Sequence, residues 1–186
     1  MDRAPPSGGG SRGFESLLAR LQLAIVSDTH MPRGGRSLPP ECIARLRAAD
    51  AILHAGDFCA LAVLELFEAL GPPVHAVHGN VDEPAVRMRL PAVRLVEAGG
   101  ARIVLTHDGG PGPGRLTRLR RRYAAMQADA VVFGHSHLPL HECDDGFHIF
   151  NPGSPTERRR APAHTMGLLT VGDGRLAFAH VELPPP

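Results

Sequence analysis

From Leu21 onward, apolar residues come in short runs, each closed by a polar or glycine tip. The runs are LQLAIVS, AILHAG, VHAVHG, ARIVLTH and DAVVFGH, and their length and β-branched content predict buried strands that end in polar loops. Between them, PPECIARLRAA and LAVLELFEAL carry apolar residues at helical spacing, the first with proline where an opening helical turn tolerates it. GRLTRLRRRYAAMQ predicts a third, strongly cationic helix. From Pro139 the texture changes to β-rich arms, PLHECDDGFHIFNPGS and TMGLLTVGDGRLAFAHVEL, in which Asp145-Gly146 and Asp173-Gly174 mark two hairpin turns. The sheet is therefore expected to finish with antiparallel strands. Residues 1–13, rich in Pro, Gly and Ser, are expected to form a disordered extension, leaving 14–183 as a single α/β domain with a frayed LPPP end.

Composition narrows the function classes. Twenty basic residues, all arginine, nearly balance 19 acidic ones, so no global field recruits nucleic acid or an anionic membrane surface. Cys42, Cys59 and Cys143 are odd in number and lack CxxC spacing, which argues against a disulfide framework or a cysteine zinc cluster and for small core residues in a reducing cytoplasm. No apolar run approaches the ~20 residues of a membrane span, and the opening residues lack the charged-then-apolar order of a signal peptide, so an intracellular protein is expected.

The strand tips carry the chemistry. SDTH supplies Asp28 and His30, HAGD supplies Asp57, HGNVD supplies Asn80 and Asp82, LTHDGG supplies His107, and FGHSH supplies His135 and His137. Successive groups lie 29, 23, 27 and 28 residues apart, about a strand, a connection and a return, so one polar group per strand end would gather them on one rim. That rim is where α/β sheets place their binding sites. Each piece alone has a plain explanation: D-x-H a capped turn, GD a turn, GN a positive-φ position, H-x-H an edge alternation. Those explanations do not account for all five in order, each at a strand end. Two aspartates, an asparagine and four histidines suit first-row divalent metals. Seven side chains suggest two ions, with a central carboxylate, best Asp57, shared between them.

Here the chain resembles the calcineurin-like metallophosphoesterases, and within them the small single-domain bacterial and archaeal phosphodiesterases. Their D-x-H, G-D, G-N-x-D, H and G-H-x-H series matches Asp28/His30, Gly56-Asp57, Gly79-Asn80/Asp82, His107 and Gly134-His135/His137. The resemblance implies a four-layer αββα sandwich of two mixed sheets with the site on loops at one edge. It implies one ion on Asp28, His30, Asp57 and His137, and a second on Asp57, Asn80, His107 and His135. The usual metal of the family is manganese, with iron, zinc or nickel also accommodated. A metal-bridging hydroxide would be the nucleophile, with Asp57, Asn80, His107 and His135 around the reacting phosphate and Asn80 offering its amide NH₂ to phosphate.

Further residues take expectations from this picture. Many relatives have histidine inside the G-N-H motif, where this chain has Val81, which neither protonates a leaving group nor contacts phosphate. Phosphodiesters with low-pKa leaving groups are thus the expected substrates. Asp82 is expected to orient a metal-bound imidazole, and Asp108 is expected to be a solvated loop carboxylate. His54 and His78 stand near the site, while Phe58 and Leu61 should wall the pocket. In FNPGSP, Ser154 is a residue that would face the substrate, unless the turn only closes a strand. The arginine clusters read as solvated faces, since no interleaved aromatics make them a nucleic-acid platform. The expected partner is a small phosphodiester or nucleotide-like substrate, without membrane or stable nucleic-acid contacts, and family habit implies a homo-oligomer formed through apolar residues on the arms. Two alternatives stay open: a protein-binding scaffold of the same fold, as in a retromer subunit that resembles the family, and a phosphomonoesterase or nucleotide pyrophosphatase.

Overall fold

Alternation along the strands decides the layering. The computed structural model describes residues 20–172 and 174–184; the expected disordered extension, the remaining residues to 19, Asp173 and the last two prolines lie outside the described residues. Ten strands are described: β1 (Leu21–Val26), β2 (Ala51–His54), β3 (Val74–Ala76), β4 (Val93–Ala98), β5 (Ala101–Thr106), β6 (Ala130–Val132), β7 (Leu140–Asp144), β8 (Phe147–Asn151), β9 (His164–Gly172) and β10 (Arg175–Leu183). Four helices accompany them: α1 (Pro40–Ala48), α2 (Leu61–Glu68), α3 (Pro84–Arg89) and α4 (Arg115–Arg122).

The strands form two five-stranded mixed sheets, ordered β10-β9-β1-β2-β3 and β4-β5-β6-β8-β7. On β1, Ala24 and Val26 point to one core and Leu23 and Ile25 to another, as a period of two requires. The first core lies under α1, α2 and α3 with Leu46, Phe67 and Val86. The second, between the sheets, joins Leu23 and Ile25 to Ile103, Leu105, Val132 and Phe150. A third packs Val104, Val131 and Ile149 against Leu119 of α4. The result is the four-layer αββα sandwich.

Five strands and three helices fall where the apolar runs predict them, with β4 and α3 in addition. The cationic helix is shorter than its pattern: α4 ends at Arg122, and a 3-10 turn at Ala124–Met126 follows. The two hairpins do not finish one sheet. β7–β8 joins the second sheet, with β8 parallel to β6, and β9–β10 joins the first, with β9 antiparallel to β1. Turn chemistry specifies a hairpin but not the sheet that receives it.

Three other expectations are corrected. Phe58 is fully buried, its ring 3.5 Å from that of His54, so it fills the helix-side core rather than a pocket wall. Cys143 is exposed, unlike Cys42 and Cys59. The exposed large apolar residues among those described, Leu66, Met88, Met126 and Leu138, lie outside the arm strands. No described helix is long and apolar enough to cross a membrane.

The topology positions the site. β1, β2 and β3 run parallel, as do β5, β6 and β8, so the carboxyl ends of both parallel sets open onto a common rim. Phe150 shows how the sheets are held: it is 0% exposed, with ring centroids 4.8 Å from Phe178 and 4.4 Å from His180 on β10. Phe150→Ala is expected to lower unfolding stability by about 3–5 kcal/mol, seen as a lower urea midpoint with little change in the slope.

Candidate metal centre

The candidate ligands lie in the loops just beyond strand ends, and at five of the seven the backbone departs from ordinary conformations. Asp28, His30, Asp57, His135 and His137 all have positive φ, between 46° and 69°. Aspartate and histidine tolerate this region better than most residues, yet such positions persist only where surrounding contacts enforce them. Asp28 N donates to Gly56 O at 2.9 Å and His30 N to Asp57 O at 3.0 Å, locking the first two loops together. Both Asp28 carboxylate oxygens accept from His135 N, at 3.1 and 2.9 Å, and Ser27 Oγ donates at 2.6 Å. The glycines ahead of two ligands are dictated by proximity: a Cβ on Gly79 would lie 2.0 Å from Asp57 Oδ1, and one on Gly134 1.8 Å from Ser27 Oγ.

The seven side chains gather in two halves. In one, His137 Nε2 lies 3.1 Å from His30 Nε2 and 3.4 Å from Asp28 Oδ1. In the other, Asn80 Oδ1 lies 3.0 Å from both His107 Nε2 and His135 Nδ1. Asp57 Oδ2 stands between the halves, 3.6 Å from His30 Nε2 and 3.3 Å from His107 Nε2. Donor atoms of Asp28, His30 and His137, and again of Asp28, Asp57 and His107, lie within 4.8 Å of one another. Asp28 thus belongs to both compact groups, not to one half alone.

Burial makes this donor set demand positive charge. Asp28 is 0% exposed, and desolvation pushes its carboxyl up to about 7. Burial likewise raises Asp57, but the hydrogen bond and charge of His107 outweigh it and bring the carboxyl to about 2. His107 is pushed down by burial and up, to about 8, by Asp57 and Asp28. Burial holds His137 down to about 4 and lowers His30 as well. The neutral imidazoles of His30 and His137 beside buried carboxylates fit a divalent cation directly, and His107 does so once it gives up its proton. Two backbone carbonyls orient the rings: His107 Nδ1 donates to Ala55 O at 2.8 Å and His137 Nδ1 to Glu157 O, leaving each Nε2 turned inward.

That work was expected of Asp82, which instead organises backbone. Its carboxylate accepts from Cys59 N and Gly79 N at 2.7 Å and Asp57 N at 3.2 Å, fixing the GD turn to the GN turn. Ser154, expected toward substrate, is 1% exposed; its hydroxyl donates to Asp28 O at 2.8 Å and accepts from Glu157 N at 2.9 Å. Asn151 in the same turn donates to Gly134 O at 2.8 Å. FNPGSP is therefore a buried brace between the DTH and GHSH loops. His54, also buried, accepts from Gly56 N through Nδ1 at 3.1 Å, and Asp108 accepts from Gly110 N at 2.7 Å. His78 is half-buried, with Nδ1 3.2 Å from Gly79 O.

Glu157 was not anticipated. Its Oε2 lies 3.7 Å from His30 Nε2, and Arg36 pairs with its Oε1 at 2.8 Å. The available signal was that Glu157 is the sole acidic residue between Asp145 and Asp173.

Residues 21–174 match the calcineurin-like phosphoesterase superfamily domain. The chain belongs to this superfamily. A probable metallophosphoesterase of Methanothermobacter thermautotrophicus is 33% identical over 154 residues, covering 82% of this chain and 88% of its own. A Methanocaldococcus jannaschii protein described as a phosphodiesterase is 24% identical over 146 residues, 72% of this chain and 83% of its own. Entamoeba histolytica Vps29, solved in complex with Zn²⁺, superposes with a TM-score of 0.67 at 22% identity, covering 87% of this chain and 99% of that one; this last likeness concerns the fold. This calcineurin-like phosphoesterase domain is thus a metal-dependent hydrolase by family, with Asp and His groups that suit metal at its strand ends.

Two outcomes are expected. Asp82→Ala, which strips acceptors from three buried backbone NH groups, should destabilise the fold by about 3 kcal/mol, read by thermal or urea unfolding. At pH 7, Asp28 is close to half protonated and His107 largely protonated, so cation binding should release about one to two protons per protein. Calorimetric titration in buffers of different ionisation enthalpy measures this release, and it should decline above pH 8, where His107 has already lost its proton.

Proposed function

We propose that the protein is a dinuclear metal-dependent phosphodiesterase. The observation that carries this reading is the position of Asp57, whose Oδ2 lies between His30 of one donor group and His107 of the other. Asp28, His30, Asp57 and His137 would hold one divalent ion, and Asp57, Asn80, His107 and His135 the second. Manganese is the metal of choice by family habit, and the same donors accept iron, zinc or nickel. When bound, the pair supplies positive charge for the non-bridging phosphate oxygens and hydroxide at neutral pH.

The protein's own groups do the rest. Asn80 is exposed at the mouth of the site; with Oδ1 directed at His107 and His135, its NH₂ remains to donate to a phosphate oxygen. The buried Asp28 and His137 keep one wall dry, which strengthens charge interactions there. Hydrolysis adds water oxygen to phosphorus and breaks one ester P–O bond, and the departing oxygen must then acquire a proton. Val81 has no proton to give: its backbone NH donates to Asp57 Oδ1 at 3.0 Å and its side chain is aliphatic. Solvent protonates the leaving oxygen, which favours esters whose leaving groups are stable anions. The phosphodiesterase description of the M. jannaschii relative supports this choice over monoesters.

The test is hydrolysis of bis(p-nitrophenyl) phosphate and p-nitrophenyl phosphate by metal-stripped protein, with and without Mn²⁺. Diester cleavage should return with metal and exceed monoester cleavage, and Asp57→Ala should lower it at least about a hundredfold. Monoester cleavage equal to or above diester cleavage would replace this reading with a phosphomonoesterase. Tight metal binding without any hydrolysis would leave a scaffold as the better account.

A further inference from the structure

A cavity of about 890 Å³ opens beside the second half of the metal centre, within the size range of small-ligand sites. Asn80 and His107 form one wall, and Arg121 and Arg122 of α4 line the cavity as well. Apolar side chains, Ala92, Val93, Pro111 and Leu119, occupy much of the surface between.

Four arginines border this space, and they do different work. Arg87 donates to Asp82 O and Asn80 O, securing the GN turn. Arg118 donates to Pro111 O and Pro113 O, holding the loop before α4. Arg120, next along the helix, pairs with Asp144 at 3.0 Å. The side chains of Arg121 and Arg122 make no hydrogen bond or ion pair among the described residues; that of Arg122 only lies over the Tyr123 ring, 5.3 Å from its centroid. The one carboxylate in the lining, Asp108, already accepts from Gly110 N. Two guanidinium groups without carboxylate partners, both lining the cavity that reaches the metal ligands, leave donors suited to phosphate.

We infer that this cavity is a second anion subsite, and that the preferred substrates are phosphodiesters carrying a further phosphate group, whose products are the corresponding bisphosphates. One phosphate occupies the metal centre, and the other is held by Arg121 and Arg122. No phenyl, phenol or indole ring lines the cavity, so the connecting portion is recognised by apolar contact and charge rather than by stacking. This inference rests on the proposed phosphodiesterase site, since it names the substrate class of that site, but it is tested by binding and so can fail separately.

The experiment compares thymidine 3′,5′-bisphosphate with thymidine 5′-monophosphate by calorimetry on the Mn²⁺-loaded full chain. Bis(p-nitrophenyl) phosphate hydrolysis by the same wild-type preparation reports on the phosphodiesterase reading independently. The bisphosphate is expected to bind about tenfold or more tightly than the monophosphate, a charge-assisted contact's worth. Arg121→Ala/Arg122→Ala should bring that ratio close to one, and Arg121→Lys/Arg122→Lys should keep part of it. Equal affinities in the wild-type protein, or a ratio that survives the double alanine variant, would overturn the subsite whether or not the diester is hydrolysed. Should the alanine pair fail to fold, the lysine pair and the salt dependence of the wild-type ratio still decide: a ratio that does not fall as salt rises contradicts an arginine-held phosphate.

Discussion

Two carboxylates, those of Asp28 and Asp57, lie at 0% and 2% exposure at the ends of adjacent parallel strands. Charges of like sign in so dry a place repel each other and have lost their hydration, which is untenable without compensation. Much of the surrounding structure supplies that compensation in partial charges. The NH of His135 and the hydroxyl of Ser27 serve Asp28, while the NH of Val81 and the ring of His107 serve Asp57. Protons supply the rest: burial drives the Asp28 carboxyl toward its protonated form, and the neighbouring carboxylates hold a proton on His107, and a bound cation would take the place of both. This is a donor set that suits a metal cation.

The same constraint explains the odd backbone around it. To point carboxylates and imidazoles at a common centre, the chain must turn sharply as each strand ends, and positive φ at five ligand positions is how it does so. These conformations are held by cross-loop hydrogen bonds: Asp28 N to Gly56 O, His30 N to Asp57 O, and the FNPGSP brace beneath both. Asp82 holds the GD and GN turns in the same way. Rigid support on all sides is what a multi-ligand centre needs, since small displacements there weaken every bond at once.

The candidate donor set is legible in sequence because its chemistry is local: an acid, amide or imidazole at a strand tip announces itself against an apolar run. The supporting residues were less readable because their partners are far along the chain. Ser154 binds Asp28 across 126 residues, and nothing near Ser154 distinguishes a buried brace from a substrate contact. Strand β4 escaped notice because it is the edge of its sheet, where Arg94 and Glu97 interrupt the apolar pattern and Glu97 pairs with Arg102 on β5. Helix α3, with six residues, is less than two turns and too short to display a period. The cationic helix was visible, yet its role was not: whether an arginine faces solvent or a cavity depends on what packs opposite, and Val93 of the unread β4 lines that same cavity.

A fold that served only to bind other proteins would be built differently. A scaffold gains nothing from a buried pair of carboxylates or from positive φ at aspartate and histidine, each of which lowers stability by about 1–3 kcal/mol for backbone alone. Replacing such a pair by apolar residues is commonly neutral or stabilising, so these features are ones that a purely structural role would be free to lose. Here they are all present together, with the rings of His107 and His137 oriented by backbone carbonyls. The cleft beside Asn80 and His107 adds the same argument from the other side, because a docking surface for a protein has no need of an arginine-lined recess reaching the candidate ligand atoms. Strain, buried charge and an adjoining cavity converge on one rim, and hydrolysis of a small phosphate ester is the activity that uses all three.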